Sequence, residues 1–281
     1  MARLGILEYF DQSDRRDVAA KRSRSLEAAV FADRRGCSRV LVAEHHGRRS
    51  PSASPVLLAA VLAGHTSDIR VGTAISLLRI RDTYLTAVDF ATLAAVAGDR
   101  VDVGLGRGDF GGPGSHHISA AMRKSDEELE RAFTALRRLL LDGCESLAPV
   151  AAAPQFWLHG TSRASAALAA DLGMNFCFGL FLKNDVDAAV EAFARFADGS
   201  PGTAALAVSV VANRRPKQAA VDAAGVRDVA VNVVGGLDEC AETVGRLVEV
   251  TGVDEVLLVE LSDDPDDHLA AIDHIAGAVA G

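Results

Sequence analysis

Three apolar runs, VLVAEHHG (40–47), RVGTAISLL (70–78) and RVDVGLGRG (100–108), each end in polar residues or glycine. Strands buried on both faces read as continuous apolar runs and not as alternation. These three therefore predict consecutive strands of a parallel sheet. Glu44, His45, His46, Ala74, Ile75 and Arg107 fall near their C-terminal ends. In a barrel of parallel strands those ends open on one face, where the chemistry gathers. Residues spread over more than 60 positions could thus share one site.

The same alternation continues along the chain. Strands are predicted at 4–8, 40–44, 70–78, 101–105, 155–159, 175–181, 205–211 and 255–260. Helices are predicted at 18–35, 54–65, 84–97, 125–141, 163–172, 185–197, 238–251 and 266–279. Ser125 precedes Asp126, Glu127 and Glu128, an acidic first turn. Asp185 and Asp238 open other helices, and Gly36, Gly98, Gly173 and Gly252 follow helix ends. Eight strands alternating with helices over 281 residues is the count of a (β/α)8 TIM barrel, read as one domain over 1–281. A doubly wound open sheet is the alternative, and VAVNVVGG (229–236) could add a short ninth strand.

A net charge of −9 argues against a general nucleic-acid or anionic-membrane binder, without excluding a local phosphate pocket. No apolar run approaches 18 residues, and the N-terminal apolar stretch is too short for a signal peptide, so a cytoplasmic protein is expected. Cys37, Cys144, Cys177 and Cys240 are widely spaced and read as reduced thiols.

Four features could carry chemistry. A histidine at a barrel mouth can act as a base, a donor or a metal ligand; neighbouring His45 and His46 point to opposite sides and should not share a metal. Gly106, Gly108 and Gly111 spell GxGxxG, but no helix starts inside the motif, so a glycine-lined strand end with Arg107 available for an anion is the better reading. In PQFWLHGTSRASAALAADLG (154–173), Thr161, Ser162 and Ser165 open an alanine-rich helix, either as a phosphate cradle or as a simple N-cap. In GTAISLL, small residues allow a ligand close to the backbone, or simply a tight bend.

Taken together, these residues resemble the luciferase-like flavin monooxygenases, the family of bacterial luciferase. The resemblance runs through LGILEYF, AEHHG, SPVLLAAVLAGHTSDIRVGTAISLL, DFATLAAVAGDRVDVGLGRG, LHGTSRASAALAADLG and VVGGLDECAETVGRLVEVTGVDEVLL. It implies a (β/α)8 barrel binding reduced FMN (FMNH2) at its C-terminal face. His45 would assist proton transfer near the flavin C4a position, and Glu44 would sit beside the ring. Ala74 and Ile75 match a non-proline cis peptide against the flavin. Arg107, helped by Thr161, Ser162 and Ser165, would hold the phosphate. The implied reaction forms a flavin C4a-hydroperoxide with O2 and oxygenates a small organic substrate, with a separate NAD(P)H:flavin reductase supplying the flavin. A non-catalytic flavin-binding protein and an F420-dependent oxidoreductase of the same fold are the alternatives. The apolar helices 54–65 and 84–97 either pack between the barrel and a neighbouring element or form a homodimer interface, as the resemblance implies. Gly47 and Arg79 depart from the family pattern, and the 212–236 region is short. The 106–124 loop, with His116 or His117, could replace a lid.

Overall fold

The computed structural model describes residues 2–10, 14, 16–48, 50–108 and 123–280. The strands are β1 (Arg3–Glu8), β2 (Arg39–Ala43), β3 (Arg70–Ile75), β4 (Val101–Gly106), β5 (Gln155–Gly160), β6 (Asn175–Gly179), β7 (Ala204–Ala212), β8 (Val233–Gly235) and β9 (Glu255–Glu260). The helices are α1 (Val18–Arg35), α2 (Pro55–Ala63), α3 (Thr83–Ala97), α4 (Asp126–Asp142), α5 (Arg163–Asp171), α6 (Val186–Ala197), α7 (Pro216–Gly225), α8 (Leu237–Thr251) and α9 (Pro265–Ala280).

All the strand pairings are parallel, and they close a ring. β1 to β7 pair in sequence except that β9, not β8, bridges β7 back to β1. This is a closed eight-stranded parallel barrel, which excludes the open-sheet alternative. VAVNVVGG does hold a ninth strand, but it lies outside the ring: β8 pairs only with the overhanging end of β7, at Val210, Val211 and Ala212. α7 has no counterpart among the expected helices. Pro216 starts it, and Ala219 is its one buried residue, so it carries no apolar stripe for periodicity to detect. The four glycines expected after helix ends all adopt positive φ, between 61° and 78°.

The barrel has two apolar compartments. The larger lies between strands and helices. The smaller fills the barrel interior with Leu7, Leu41, Ala43, Ala74, Trp157, Cys177, Ala205, Ala207, Leu257 and Val259. The N-terminal end of the interior is closed by charge. Arg39, fully buried, donates from Nε to Glu255 (2.7 Å) and from Nη2 to its other oxygen (3.0 Å), and bonds Asp102 through Nη1. Burial opposes its charge, but Asp102 and Glu255 outweigh this and hold its pKa above the usual value. Its guanidinium lies 4.5 Å from the Trp157 ring. Gly5 makes the room, since a Cβ there would sit 2.7 Å from Arg39 Cγ. With one end sealed, a ligand can enter the barrel only at the other.

Candidate active site

At the C-terminal rim, β2 and β3 lose their simple register. Val42 pairs with Thr73 but Ala43 pairs with Ile75, so Ala74 is an extra, bulged residue. Bulges re-aim side chains next to sites. Beyond the bulge the backbone stays satisfied: Glu44 N–H donates to Ile75 C=O (2.9 Å), and Ser76 N–H to Gly104 C=O (2.8 Å). The cis peptide implied at Ala74–Ile75 is not found, and no described peptide bond is cis. The bulge turns the chain here with a trans backbone. β3 also ends at Ile75 and not at 78, because the chain tightens into a 3-10 turn over Leu78–Ile80.

Glu44 is buried and fully engaged. One carboxylate oxygen accepts the Leu77 N–H (2.8 Å) and Arg81 Nε (2.8 Å). The other accepts Arg81 Nη2 (2.9 Å) and lies 2.7 Å from His46 Nε2. Burial pushes its pKa up, but His46, Arg81 and the Leu77 N–H prevail and hold it below the ordinary carboxylate value. Glu44 is therefore an ionised clasp tying β2 to the turn after β3, and is not placed to release a proton. His46 serves that clasp.

His45 is arranged differently. Its Nδ1 lies 3.1 Å from the Tyr9 carbonyl and 3.0 Å from the Phe10 carbonyl. Carbonyls only accept, so Nδ1 carries the hydrogen, and in the neutral ring Nε2 keeps its lone pair. That is the tautomer of a base. Phe10 supplies its carbonyl from a left-handed backbone (φ 60°), a costly conformation for a bulky residue. Tyr9 packs 4.8 Å from the His45 ring and edge-on to Phe181 at 5.2 Å, walling the imidazole with aromatic surface.

On the other side of the rim, Arg107 Nη2 donates to Ser165 Oγ (3.0 Å), which lies 3.1 Å from Ser162 Oγ. Ser162 also caps α5, accepting the Ser165 N–H at 3.2 Å. The cap and cradle readings thus describe the same atoms: the cap places two hydroxyls and a guanidinium over the positive end of a helix. Thr161 precedes this cap. Arg79, one of the departures from the family pattern, bonds the Arg107 carbonyl from Nε (3.3 Å) and the Lys124 carbonyl from Nη1 (2.6 Å), tying together the two ends of the 106–124 segment.

The halves of the site are linked through contacts across four neighbouring strands. Glu44 bonds Ile75. Ile75 lies against Gly106, where an added Cβ would sit 3.2 Å from Ile75 Cγ2. Arg107 follows Gly106 and reaches Ser165. Of the expected site residues, Glu44, Ile75, Arg107, Ser162 and Ser165 are joined by these contacts, His45 is held instead by the β1 end, and Gly111, His116 and His117 fall outside the described residues. A cavity of about 780 Å³ opens on the β1–β9 side and shares Tyr9 and Phe10 with the surroundings of His45.

Sequence reasoning missed Arg81, Ser76 and His159. Arg81 meets its partner across 37 positions, a distance no local pattern shows. Ser76 Oγ and His159 Nε2 are buried without a partner among the described residues. His159 was in principle visible, since it alternates with Gln155 and Trp157 on one face of β5.

A family model described as luciferase-like monooxygenase matches residues 2–230. An N-acetyl-S-alkylcysteine monooxygenase of Bacillus subtilis is 30% identical over 207 residues, covering 68% of this chain and 61% of its own length. The chain spans about three fifths of the first curated relatives it matches. Among solved structures, apo-MsnO8 superposes with a TM-score of 0.83 at 26% identity, covering 99% of this chain and 98% of that one. Two more distant structures share the fold. The oxygenating component of 3,6-diketocamphane monooxygenase from Pseudomonas putida, in complex with FMN, has a TM-score of 0.75 at 18% identity and covers 100% and 98% of the two chains. An F420-dependent secondary alcohol dehydrogenase has a TM-score of 0.75 at 15% identity and covers 99% of each.

Proposed function

As a member of the luciferase-like monooxygenase family, the chain carries a rim site that we propose binds reduced FMN and oxygenates a small organic substrate. The observation that carries this reading is the contact arc from Glu44 through Ile75 and Gly106 to Arg107 and Ser165. One end of the arc offers a basic imidazole and the other an anion cradle, with a wall low in side chains between them.

The residues present fit a phosphorylated tricyclic cofactor. Arg107, Ser162 and Ser165, with Thr161 beside them, supply the donor set for a phosphate. Ala74, Ile75 and Gly106 leave a low wall for a flat ring. Ser76 Oγ and His159 Nε2 are buried polar atoms without a partner among the described residues, as expected where a ligand completes the bonding. When bound, the reduced cofactor supplies the electrons that let one atom of O2 enter the substrate while the other leaves as water. His45 Nε2 takes or returns a proton at the reacting centre, held in its tautomer by the Tyr9 and Phe10 carbonyls. The Glu44–Arg81–His46 clasp fixes the strand ends, and Tyr9 and Phe181 keep water from the imidazole. The cavity beside Tyr9 and Phe10 receives the substrate.

In this reading a separate NAD(P)H:flavin reductase supplies the reduced flavin. None of the described helices is long and apolar enough to cross a membrane. The free thiols of Cys37, Cys144, Cys177 and Cys240 suit a cytoplasmic location. α2 and α3 leave Leu57, Val61, Leu85 and Val96 exposed, which suits a homodimer joined through these helices.

Anaerobic titration with FMN and F420, oxidised and reduced, tests the cofactor. Tighter binding of F420, with hydride transfer and no oxygenation, would replace this reading by the F420-dependent one. Flavin binding that yields only H2O2 with every substrate would make the protein a non-catalytic flavin binder. Binding of neither below millimolar concentration would refute the site.

A further inference from the structure

His159 ends a series on β5 that faces the barrel axis. Gln155 Oε1 accepts from Arg39 (3.3 Å), and Trp157 lies under the same guanidinium in the interior cluster. His159, two residues further on, takes the same face one layer nearer the mouth. The parallel register sets Asp102 beside Gln155, Gly104 beside Trp157 and Gly106 beside His159. On the other flank His159 is level with Cys177 of β6. On β4 the position beside the imidazole is glycine, and the Ile75 side chain packs against it, 3.2 Å from where a Cβ would stand. The next residue on each strand leads into the anion cradle: Arg107 follows Gly106, and Gly160 follows His159, packed so closely on Ser165 that a Cβ there would collide with it.

The ring is 8% exposed, and its Nε2 has no partner among the described residues. Burial, with Arg39's charge adding to it, drives its pKa down to about 3, so the ring is neutral and presents one donor and one acceptor. A buried polar nitrogen without a partner destabilises a core position that leucine would fill without loss. Two independent observations therefore meet here: an anion cradle, and an unpaired imidazole one residue away on the interior side.

We propose that His159 hydrogen-bonds the hydroxylated chain that joins phosphate to ring in the bound cofactor. The inference rests on the flavin reading, but holds equally for FMN and F420, which share such a chain. A phosphate at Arg107 and Ser165 and a ring over Ala74 and Ile75 require the connecting chain to pass the Gly106–His159 stretch of wall. The polyol is the part of the ligand that offers both donors and acceptors to a neutral imidazole.

The test compares oxidised FMN binding, followed by flavin fluorescence, in wild type, His159→Leu, His159→Asn and Arg107→Ala. His159→Leu is expected to weaken binding about 3- to 10-fold, the loss of one neutral hydrogen bond. The melting temperature of its ligand-free form should stay unchanged or rise. His159→Asn should recover part of the affinity. Wild-type affinity in His159→Leu, with binding lost in Arg107→Ala, overturns the role of His159 and leaves the flavin site standing. Failure of wild type to bind either cofactor overturns both. A measurement needing no variant uses protein labelled with ¹⁵N-histidine: the His159 ring nitrogens should shift when FMN is added. Unshifted His159 resonances at saturation overturn the proposal even if His159→Leu does not fold.

Discussion

Replacing Glu44 by glutamine removes one charge and little volume, and its cost can be worked through atom by atom. A carboxylate offers two accepting oxygens, and in Glu44 each faces two partners: Leu77 N–H and Arg81 Nε at one, Arg81 Nη2 and His46 Nε2 at the other. An amide has one oxygen. Its NH2 faces least opposition at the His46 side, where a neutral imidazole can accept through Nε2. The Arg81 Nη2 bond is then lost, and the bonds from Leu77 N–H and Arg81 Nε lose the carboxylate's charge. One charge-assisted bond lost and two weakened amount to about 2–4 kcal/mol. The Arg81 side chain is 24% exposed, so water recovers part, and about 2–3 kcal/mol is expected from urea unfolding at pH 7. The pH dependence has a definite sign. Glu44 is held below its unfolded value of 4.5, so its stabilisation is present above about pH 4.5 and disappears as pH falls through the lower folded value. The gap between wild type and Glu44→Gln should narrow in acid and stay level above pH 6. FMN affinity should also fall, because the clasp holds the turn beside Ala74 and Ile75. A loss under 1 kcal/mol with unchanged affinity would refute the clasp.

Arg39→Ala leaves Asp102 and Glu255 buried without their shared guanidinium and should cost about 3–5 kcal/mol in urea unfolding; a cost under 1 kcal/mol would show that the sealed end is not held by this ion group. His45→Ala should lower oxygenation turnover by about 10²- to 10⁴-fold with flavin affinity nearly kept, and wild-type turnover would remove the base role. Leu57→Glu with Leu85→Glu should yield the mass of one chain in sedimentation if α2 and α3 form a homodimer; an unchanged dimer mass would move the interface elsewhere.

The fold was legible because its determinants are local. Both-face burial made β2, β3 and β4 continuous apolar runs, and caps such as Ser125 and Gly36 mark helix ends in sequence. SLL is as apolar as a strand, so the sequence pattern extends β3 too far, yet the Glu44 carboxylate accepts the Leu77 N–H and turns the chain there. α7 was invisible because a helix burying one alanine has no periodicity. The site divides along the same line. His45, Arg107 and Ser165 can be picked out as candidates because they stand at strand and helix ends. Arg81 was not, since its meaning lies in a carboxylate 37 positions earlier. The roles within the histidine pair were also beyond sequence: only coordinates show His45 on two carbonyls and His46 on Glu44.

The inner barrel distributes its hydrogen bonding unevenly, and this asymmetry supports a rim site independently of any relative. At the N-terminal end, Arg39 and Arg70 bind Asp102, Arg39 and Arg3 bind Glu255, and Gln155 joins Arg39. Further up, Trp157 Nε1, His159 Nε2 and Ser76 Oγ are buried without described partners. Buried polar groups are costly when unpaired, so they persist where something other than the protein completes them. A barrel built only for stability would carry leucine at 159 and alanine at 76. The unpaired groups instead lie towards the end that also holds the β3 bulge, the left-handed Phe10 and the arginine–serine cradle. Saturating the protein with cofactor should therefore slow hydrogen exchange most at the ends of β3, β4 and β5. Equal protection at both ends of these strands would mean that the ligand does not complete this rim.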